Sequence, residues 1–140
     1  MFVLDTNVIS DIVGPKPNKR LLNWLNAQER GSLFISTIVL AELYYGANLV
    51  REPARREGLL QTIGRIRDEF EGRVLAFGDA AAERYGSITA LRRGLGRPIE
   101  TKDAMIAAKC LVHGAALVTR NVRDFLEIDL KVVNPFEAGA

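Results

Sequence analysis

Short apolar runs alternate along this chain with longer segments of helical periodicity. The runs have the length of buried strands and lie at residues 2–4, 33–35, 74–77, 116–118 and 132–133. Because strands that alternate with helices of ten or more residues build parallel sheets, this order predicts an α/β protein. We expect a three-layer α/β/α domain around a central, mainly parallel sheet.

Four helices are predicted between these strands. The first begins near Ser36 and runs over residues 37–49. The second is amphipathic, spans residues 54–70 and stops before Gly72. Asp79 is expected to cap the third, which GLGRP ends, and Thr101 the fourth, which ends at Gly114.

Length and composition restrict the class of protein. With 140 residues, 48% of them hydrophobic, the chain can bury one core but not two, so residues 1–140 are predicted to form a single domain. The lone Cys110 and the lone His113 exclude an internal disulfide and a Cys/His zinc cluster. Since we find neither an apolar run of membrane-span length nor a signal peptide, we expect a cytoplasmic protein that does not enter a membrane.

Net charge says little about the ligand. Basic residues outnumber acidic ones by only 19 to 17, which is not the strong excess typical of nucleic-acid-binding proteins. If several acids converge on one pocket, however, the remaining surface is distinctly basic. Such a surface suits a substrate rich in phosphate.

Acidic residues occupy the places where parallel α/β sheets bind their ligands, just beyond the carboxyl ends of strands. Asp5 directly follows the first strand, and Asp124 lies shortly after the fourth. Asp103 lies in the first turn of its helix, where the helix dipole favours negative charge. Glu42 lies inside a helix and is the only charged residue between positions 33 and 50.

Asp5 and Glu42 are each the lone charge in an apolar stretch, and burying an unpaired carboxylate is costly unless a cation compensates. Asp103 has an alternative role as an acid that stabilises a helix N-terminus, and Asp124 as an ordinary surface residue. Carboxylates without a Cys/His cluster favour a hard cation such as Mg²⁺ or Mn²⁺. Such ions suit phosphoryl chemistry.

Other catalytic chemistries find less support in the sequence. His113 lies at a predicted helix end, and Cys110 lies in an apolar helix that is expected to be core. The segment GLGRP follows a helix and precedes no Lys-Ser/Thr pair. It is therefore interpreted as a turn rather than as a phosphate-binding loop.

Four segments together resemble the motifs of PIN-domain ribonucleases, and specifically those of VapC- and FitB-type toxins from bacterial toxin–antitoxin pairs. They are FVLDTNVIS, STIVLAELYYG, TKDAMIAA and LVTRNVRDF, in this order and spacing over nearly the whole chain. One such motif alone is common, whereas four in register are specific. The resemblance implies a PIN fold and Mg²⁺-dependent hydrolysis of RNA phosphodiester bonds by a metal-activated water.

The resemblance also assigns site residues. It implies that Asp5, Glu42 and Asp103 are catalytic metal ligands. Family members place a fourth acid at slightly different points after the TRN-like turn. Here Asn121 occupies one of these points and Asp124 the other, and we expect Asp124 to be the fourth catalytic ligand.

Short polar side chains around these acids are expected to orient carboxylates or water, although capping and turn formation would explain them too. These supporting residues are Thr6, Asn7, Thr119 and Asn121. Arg120 and Arg123 are expected to contact the phosphate of the substrate.

The resemblance further implies a homodimer and a cognate antitoxin that wraps the toxin and blocks its site. The helices at 37–49 and 54–70 could form an apolar groove for that partner, or could simply cover the sheet. Since the chain shows no convincing helix-turn-helix or basic arm, DNA contact is expected only through the antitoxin.

Two other functions remain open at this point. A strand that ends in Asp also begins haloacid-dehalogenase-type phosphohydrolases, where this Asp is the nucleophile, but those proteins usually have a second acid where this chain has Asn7. The other alternative is a PIN-like module that binds RNA or protein without cutting, against which the intact acids argue. Neither the RNA target nor the number of metal ions can be inferred from the sequence.

Overall fold

In residues 1–137 and 139, which the computed structural model describes, five strands form one parallel sheet. The strands are β1 (Phe2–Leu4), β2 (Leu33–Ser36), β3 (Val74–Leu75), β4 (Ala116–Val118) and β5 (Val132–Val133). Their order in the sheet is β3-β2-β1-β4-β5, and each neighbouring pair is parallel. The predicted α/β class with a central parallel sheet is confirmed.

Strand β1 lies at the centre of the sheet, between β2 and β4. Its residues Val3 and Leu4 are almost completely buried, as are Leu117 and Val118 of β4. From β1 the chain first builds one half of the sheet, β2 and β3, and later crosses to build the other half, β4 and β5. Such a switch point leaves a crevice at the carboxyl ends of the central strands, where α/β proteins bind ligands.

Six α-helices connect the strands over the described ranges. They are α1 (Thr6–Ile12), α2 (Lys19–Asn26), α3 (Thr37–Asn48), α4 (Pro53–Glu69), α5 (Asp79–Gly94) and α6 (Thr101–His113). A single turn of 3₁₀ helix at Val122–Phe125, here called the Asp124 turn, follows β4. None of the described helices is long and apolar enough to cross a membrane.

The four predicted helices correspond to α3–α6. The starts of α4, α5 and α6 and the ends of α3 and α4 each differ by one residue from the prediction. Ser36 caps α3 as predicted, since its side chain accepts a hydrogen bond from the Val39 amide at 3.2 Å. The N-cap positions of α5 and α6 are Gly78 and Glu100, so Asp79 and Thr101 are the first helical residues instead of the caps. The predicted caps at these two positions are therefore wrong by one residue.

Two helices, α1 and α2, occupy the segment between β1 and β2, where the sequence analysis predicts no element. They have 7 and 8 residues, too few for helical periodicity to be detected in a window of about 11–18 residues. Each has a side-chain cap: the Asp5 carboxylate accepts from the Thr6 amide, and Asn18 accepts from the Arg20 and Leu21 amides. These capping residues were the available sequence signal.

Helix α6 lies against the core and ends where the sequence predicts. Its Cys110 is fully buried, and this burial raises the pKa of the thiol to about 12, as expected of a core cysteine. Gly114 terminates the helix with φ +60°, in the left-handed region that favours glycine. The amide of Ala115 then donates to the Cys110 carbonyl at 2.9 Å and closes the end of the helix.

We expect Gly114→Ala to lower the free energy of unfolding by about 1–2 kcal/mol, because a side chain disfavours the left-handed conformation. Gly64→Ala is the matched control. Gly64 lies inside α4, where an added Cβ meets no atom within 4 Å, so this change should stabilise by about 0.5–1 kcal/mol. Urea denaturation of both variants measures the two effects, and a shift of the same sign in both would contradict this account.

Candidate active site

The four predicted acids come from four separate elements and act on one another electrostatically. Asp5 ends β1, Glu42 lies in the middle of α3, Asp103 lies in the first turn of α6, and Asp124 lies in the Asp124 turn. The charges of Asp5, Asp124 and Glu42 all raise the pKa of Asp103. The fold therefore gathers negative charge from distant parts of the chain at one end of the sheet.

Asp5 is the most buried of these acids, with 5% of its surface exposed. One carboxylate oxygen, Oδ1, accepts from the Thr6 amide at 2.8 Å. The other, Oδ2, accepts from the Thr119 hydroxyl at 2.8 Å and from the Asn7 amide group at 3.3 Å. Burial raises the pKa of Asp5, and these three hydrogen bonds oppose the rise because they stabilise the ionised form.

Hydrogen bonds of Thr119, which follows β4, and of Asn7, in the first turn of α1, connect the ends of strands β4 and β1. The Thr119 hydroxyl accepts from Asn7 Nδ2 at 3.1 Å and from the Asn121 amide at 3.0 Å. Asn7 Oδ1 accepts from the Arg120 amide at 3.0 Å. Asn121 takes part through its backbone instead of its side chain. The phosphohydrolase alternative would need a second acid at position 7. Asn7 occupies this position instead, and its amide group donates a hydrogen bond to Asp5.

Glu42 is half-buried, which is less than its apolar surroundings in the sequence predict. Its Oε1 accepts from the Thr6 hydroxyl at 2.9 Å, so Thr6 contacts both Asp5 and Glu42. Burial raises the pKa of Glu42, and the charges of Asp5 and Glu100 add to the rise. The Thr6 hydrogen bond and the nearby Lys102 charge oppose it.

Asp103 experiences the strongest effect of the acidic surroundings. Burial, followed by the charges of Asp5, Glu100, Asp124 and Glu42, raises its pKa to about 7. Glu100 is an acid that the sequence analysis did not include. It lies three residues before Asp103, so the one-turn spacing on α6 was the signal that could have identified it.

Charge also bears on the choice of the fourth acid. The Asp124 carboxylate is exposed, yet its charge raises the pKa of both Asp5 and Asp103. Asn121 has no charge and contributes a backbone amide to Thr119. Asp124 therefore remains the better candidate, as the sequence analysis expects.

The donor set suits a hard divalent cation. Within residues 1–137 and 139, no three carboxylate, imidazole or thiol groups stand close enough to ligate one ion without side-chain movement. The described residues also form no ion pair with Asp5, Glu42 or Asp103. Clustered carboxylates that raise one another's pKa and have no paired cation match the oxygen ligands that Mg²⁺ and Mn²⁺ prefer.

The two arginines predicted to contact phosphate lie beside Asp124. Arg120, Arg123 and Asp124 line a polar cavity of about 530 Å³ together with Asn121 and Asn134. Arg123 is exposed. The Arg120 guanidinium lies 3.5 Å from Asp11 and 3.9 Å from the centre of the Phe136 ring. Arg120 is therefore partly engaged by the protein itself.

The chain is similar in sequence to known proteins over nearly its whole length. A sequence profile of the PIN domain matches residues 2–131. The chain is 37% identical over 139 residues to the plasmid stability protein StbB of Pseudomonas syringae pv. tomato, covering 99% of this chain and 100% of that protein. It is 34% identical over 138 residues to VapC ribonuclease Y4jK of Sinorhizobium fredii, at 98% and 99% coverage. Toxin FitB of Neisseria gonorrhoeae is 33% identical over 137 residues, at 97% and 99% coverage.

Solved structures give the same relationship. The crystal structure of FitAcB from Neisseria gonorrhoeae superimposes with a TM-score of 0.91 at 33% identity, covering 98% of this chain and 99% of that one. A toxin–antitoxin complex from Klebsiella pneumoniae superimposes with a TM-score of 0.70 at 26% identity, with coverage of 98% and 99%. The similarity therefore extends over both the sequence and the fold.

The raised pKa of Asp103 predicts a pH-dependent stability. The folded chain holds a proton on Asp103 up to about pH 7, whereas the unfolded chain releases it near the ordinary value of 3.8, so stability falls as pH rises between these values. Because Asp103 is half exposed, we expect a loss of only about 1–2 kcal/mol in metal-free buffer. Asp103→Asn should remove the share of this pH dependence that comes from Asp103 and leave the share from Asp5 and Glu42, whose pKa values are also raised.

Urea denaturation with a chelator, from about pH 4 to about pH 8, measures the effect. Asp79→Asn is the control, because it removes an exposed acid from the first turn of α5 whose charge is not among those that shift the pKa of Asp5, Glu42 or Asp103. The control should keep the wild-type slope. A wild-type slope in Asp103→Asn would exclude Asp103 as its source.

Proposed function

The chain belongs to the PIN domain family, and on this premise we propose that it is a divalent-metal-dependent endoribonuclease, the toxin of a toxin–antitoxin pair. It hydrolyses phosphodiester bonds within RNA. The observation that carries the proposal is the convergence of Asp5, Glu42, Asp103 and Asp124 at the carboxyl end of the sheet. The ribonuclease name of a relative that matches 98% of the chain supports RNA as the substrate. We expect the activity in the cytoplasm, since that is where such an enzyme meets cellular RNA.

We assign the same four acids as ligands of Mg²⁺, with Mn²⁺ as a possible substitute. These four acids would hold the ion, which when bound would supply an activated water and shield the phosphodiester from their charges. A carboxylate has about four acceptor positions, and Asp5 uses three of them for Thr6, Thr119 and Asn7. Oδ1 therefore keeps one position for a ligand, and Oε2 of Glu42 is free of the Thr6 hydrogen bond.

The supporting residues hold these free oxygens in place. Thr119 and Asn7 prevent rotation of the Asp5 carboxylate, and Thr6 holds both Asp5 and Glu42. This restraint matters because ligand oxygens that are already oriented need no reorganisation when substrate binds. We assign Arg123 and Arg120 to the phosphates on either side of the scissile bond. Arg120 must first exchange its contact with Asp11 for the phosphate.

We expect purified protein to cleave total cellular RNA into discrete fragments when Mg²⁺ is added, and not in the presence of a chelator. Asp5→Asn should lower the cleavage rate by at least about a hundredfold, because it removes a ligand charge from the centre of the site. Gel analysis of RNA fragments is the measurement. Asp79→Asn is again the matched control and should cleave as wild type does. Equal rates for wild type and Asp5→Asn, or cleavage that persists in chelator, would contradict the proposal.

The toxin role requires a cognate antitoxin, and we assign any DNA contact of the pair to that partner. The sequence leaves open whether α3 and α4 form an apolar groove for the partner or simply cover the sheet. A largely apolar groove of about 580 Å³ lies beside α1, α2 and α4, so α4 lines it and α3 does not. Its lining residues include Ile9, Ile12, Val13, Leu25, Ile66 and Phe70. We assign this groove to the antitoxin and expect the toxin itself to be a homodimer.

Val13→Glu tests this assignment, because Val13 lines the groove and is 43% exposed, so the fold can tolerate the charge. We expect co-purification with the cognate antitoxin to fall at least tenfold, while metal-dependent RNA cleavage is kept. Leu49→Glu adds the same charge at an exposed leucine outside the groove and is the control. Unchanged co-purification of Val13→Glu would exclude the groove as the antitoxin site.

A further inference from the structure

Arg92 in the last turn of α5 is a buried arginine with only 5% of its surface exposed. Its guanidinium donates to three backbone carbonyls. Nε donates to Arg97 at 2.7 Å, and Nη1 donates to Asp124 at 2.9 Å and to Leu126 at 3.0 Å. Within the part of the chain that the structure describes, no carboxylate pairs with Arg92.

A buried charge without a carboxylate partner is unusual, because removing a charge from water is costly unless hydrogen bonds compensate. Arginine meets this requirement through five N–H donors in a rigid planar fork, which can bond carbonyls on separate segments. Lysine offers a single nitrogen and a flexible stem. The contacts of Arg92 therefore use the fork of donors that distinguishes arginine from lysine, and they connect the end of α5 to the backbone on either side of Phe125.

That segment belongs to the Asp124 turn, which also contacts α6 and β5. Its own backbone contributes the hydrogen bond from the Asp124 amide to the Asn121 carbonyl at 3.1 Å. Phe125 is buried and packs into the core, while the pair between Arg97 and Glu127 is exposed. The buried Phe125 side chain anchors the turn in the core. The Arg92 hydrogen bonds hold the backbone of the residues before and after Phe125.

We propose that Arg92 is a positioning residue that holds Asp124 against the other acids and thereby sets the affinity of the site for divalent metal. The inference rests on the proposed function, in which Asp124 is a ligand. Arg92 holds the carbonyl of the same residue whose carboxylate acts on Asp5 and Asp103. A displacement of this backbone unit moves the carboxylate with it.

Mn²⁺ binding to the full-length protein in the absence of RNA, followed by calorimetry, tests the proposal. Arg92→Met removes every donor and keeps much of the apolar stem, and we expect about tenfold weaker Mn²⁺ binding, the loss typical when support of a metal ligand is removed. Arg92→Lys, which can reach one of the carbonyls, should give a smaller loss and serves as the second variant should Arg92→Met fold poorly.

Two control variants separate positioning from general damage to α5. Ile88→Ala removes a buried side chain one turn earlier on the same helix without removing a hydrogen bond to the Asp124 turn. Arg93→Gln removes the charge of an exposed neighbour. Both should bind Mn²⁺ as wild type does. Hydrogen exchange of the amides at 122–126 should accelerate in Arg92→Met and remain unchanged in both controls.

A double-mutant cycle supplies the decisive comparison. In an Asp124→Asn background, Arg92→Met should cause no further loss of Mn²⁺ affinity, because the ligand that it positions is gone. In a Glu42→Gln background the tenfold loss should persist, since the Asp124 charge is not among those that shift the pKa of Glu42.

Equal losses in the Asp124→Asn background and in wild type would overturn the inference, as would wild-type affinity in Arg92→Met. Failure of the proposed function would look different. In that case wild-type protein would not bind Mn²⁺, or Asp5→Asn would cleave RNA as wild type does.

Discussion

Burial of the Asp5 carboxylate at the end of the central strand is the constraint on which the rest of the structure depends. A buried carboxylate must receive hydrogen bonds, and Asp5 receives them from Thr6 and Asn7 behind it and from Thr119 at the end of β4. The hydroxyl of Thr119 can reach Asp5 only because β1 and β4 are parallel neighbours in register. The polar network and the sheet topology therefore support each other.

The same residue also directs the chain away from the sheet. Asp5 ends β1 and caps α1, so the change from strand to helix takes a single residue and leaves Thr6 and Asn7 in the first turn. This turn faces the acids, because Thr6 bonds Glu42 and Asn7 bonds Thr119. A site of high negative charge is thus built on rigid elements, and the residues next to Asp5 in the sequence provide its supporting donors.

Negative charge at this site opposes folding when no cation is bound. Burial raises the pKa of Asp5, Glu42 and Asp103, because the folded protein solvates their ionised forms less well than water does. Proteins accept such a cost at functional sites and recover stability elsewhere. Here the core around β1 and β4, with Val3, Leu117 and Val118 fully buried, provides the rigid support.

The sequence by itself determined the α/β class, helices α3–α6 and the identity of three central acids. Apolar periodicity and the capping signal at Ser36 are local properties, and a lone charge inside an apolar run is visible without coordinates. Helices α1 and α2 were missed because seven or eight residues are too few to show a period. Their positions follow from capping and from packing on the sheet.

Only the tertiary structure decided how these residues act together. Glu100 belongs to the acidic cluster through its position on α6, and Arg92 reaches the Asp124 turn across 32 residues of chain. Strand neighbours that are distant in sequence bring Thr119 to Asp5, 114 residues away. Local patterns reveal which residues are buried or charged, but hydrogen bonds and electrostatic effects depend on distance in space, which the folding of the whole chain determines.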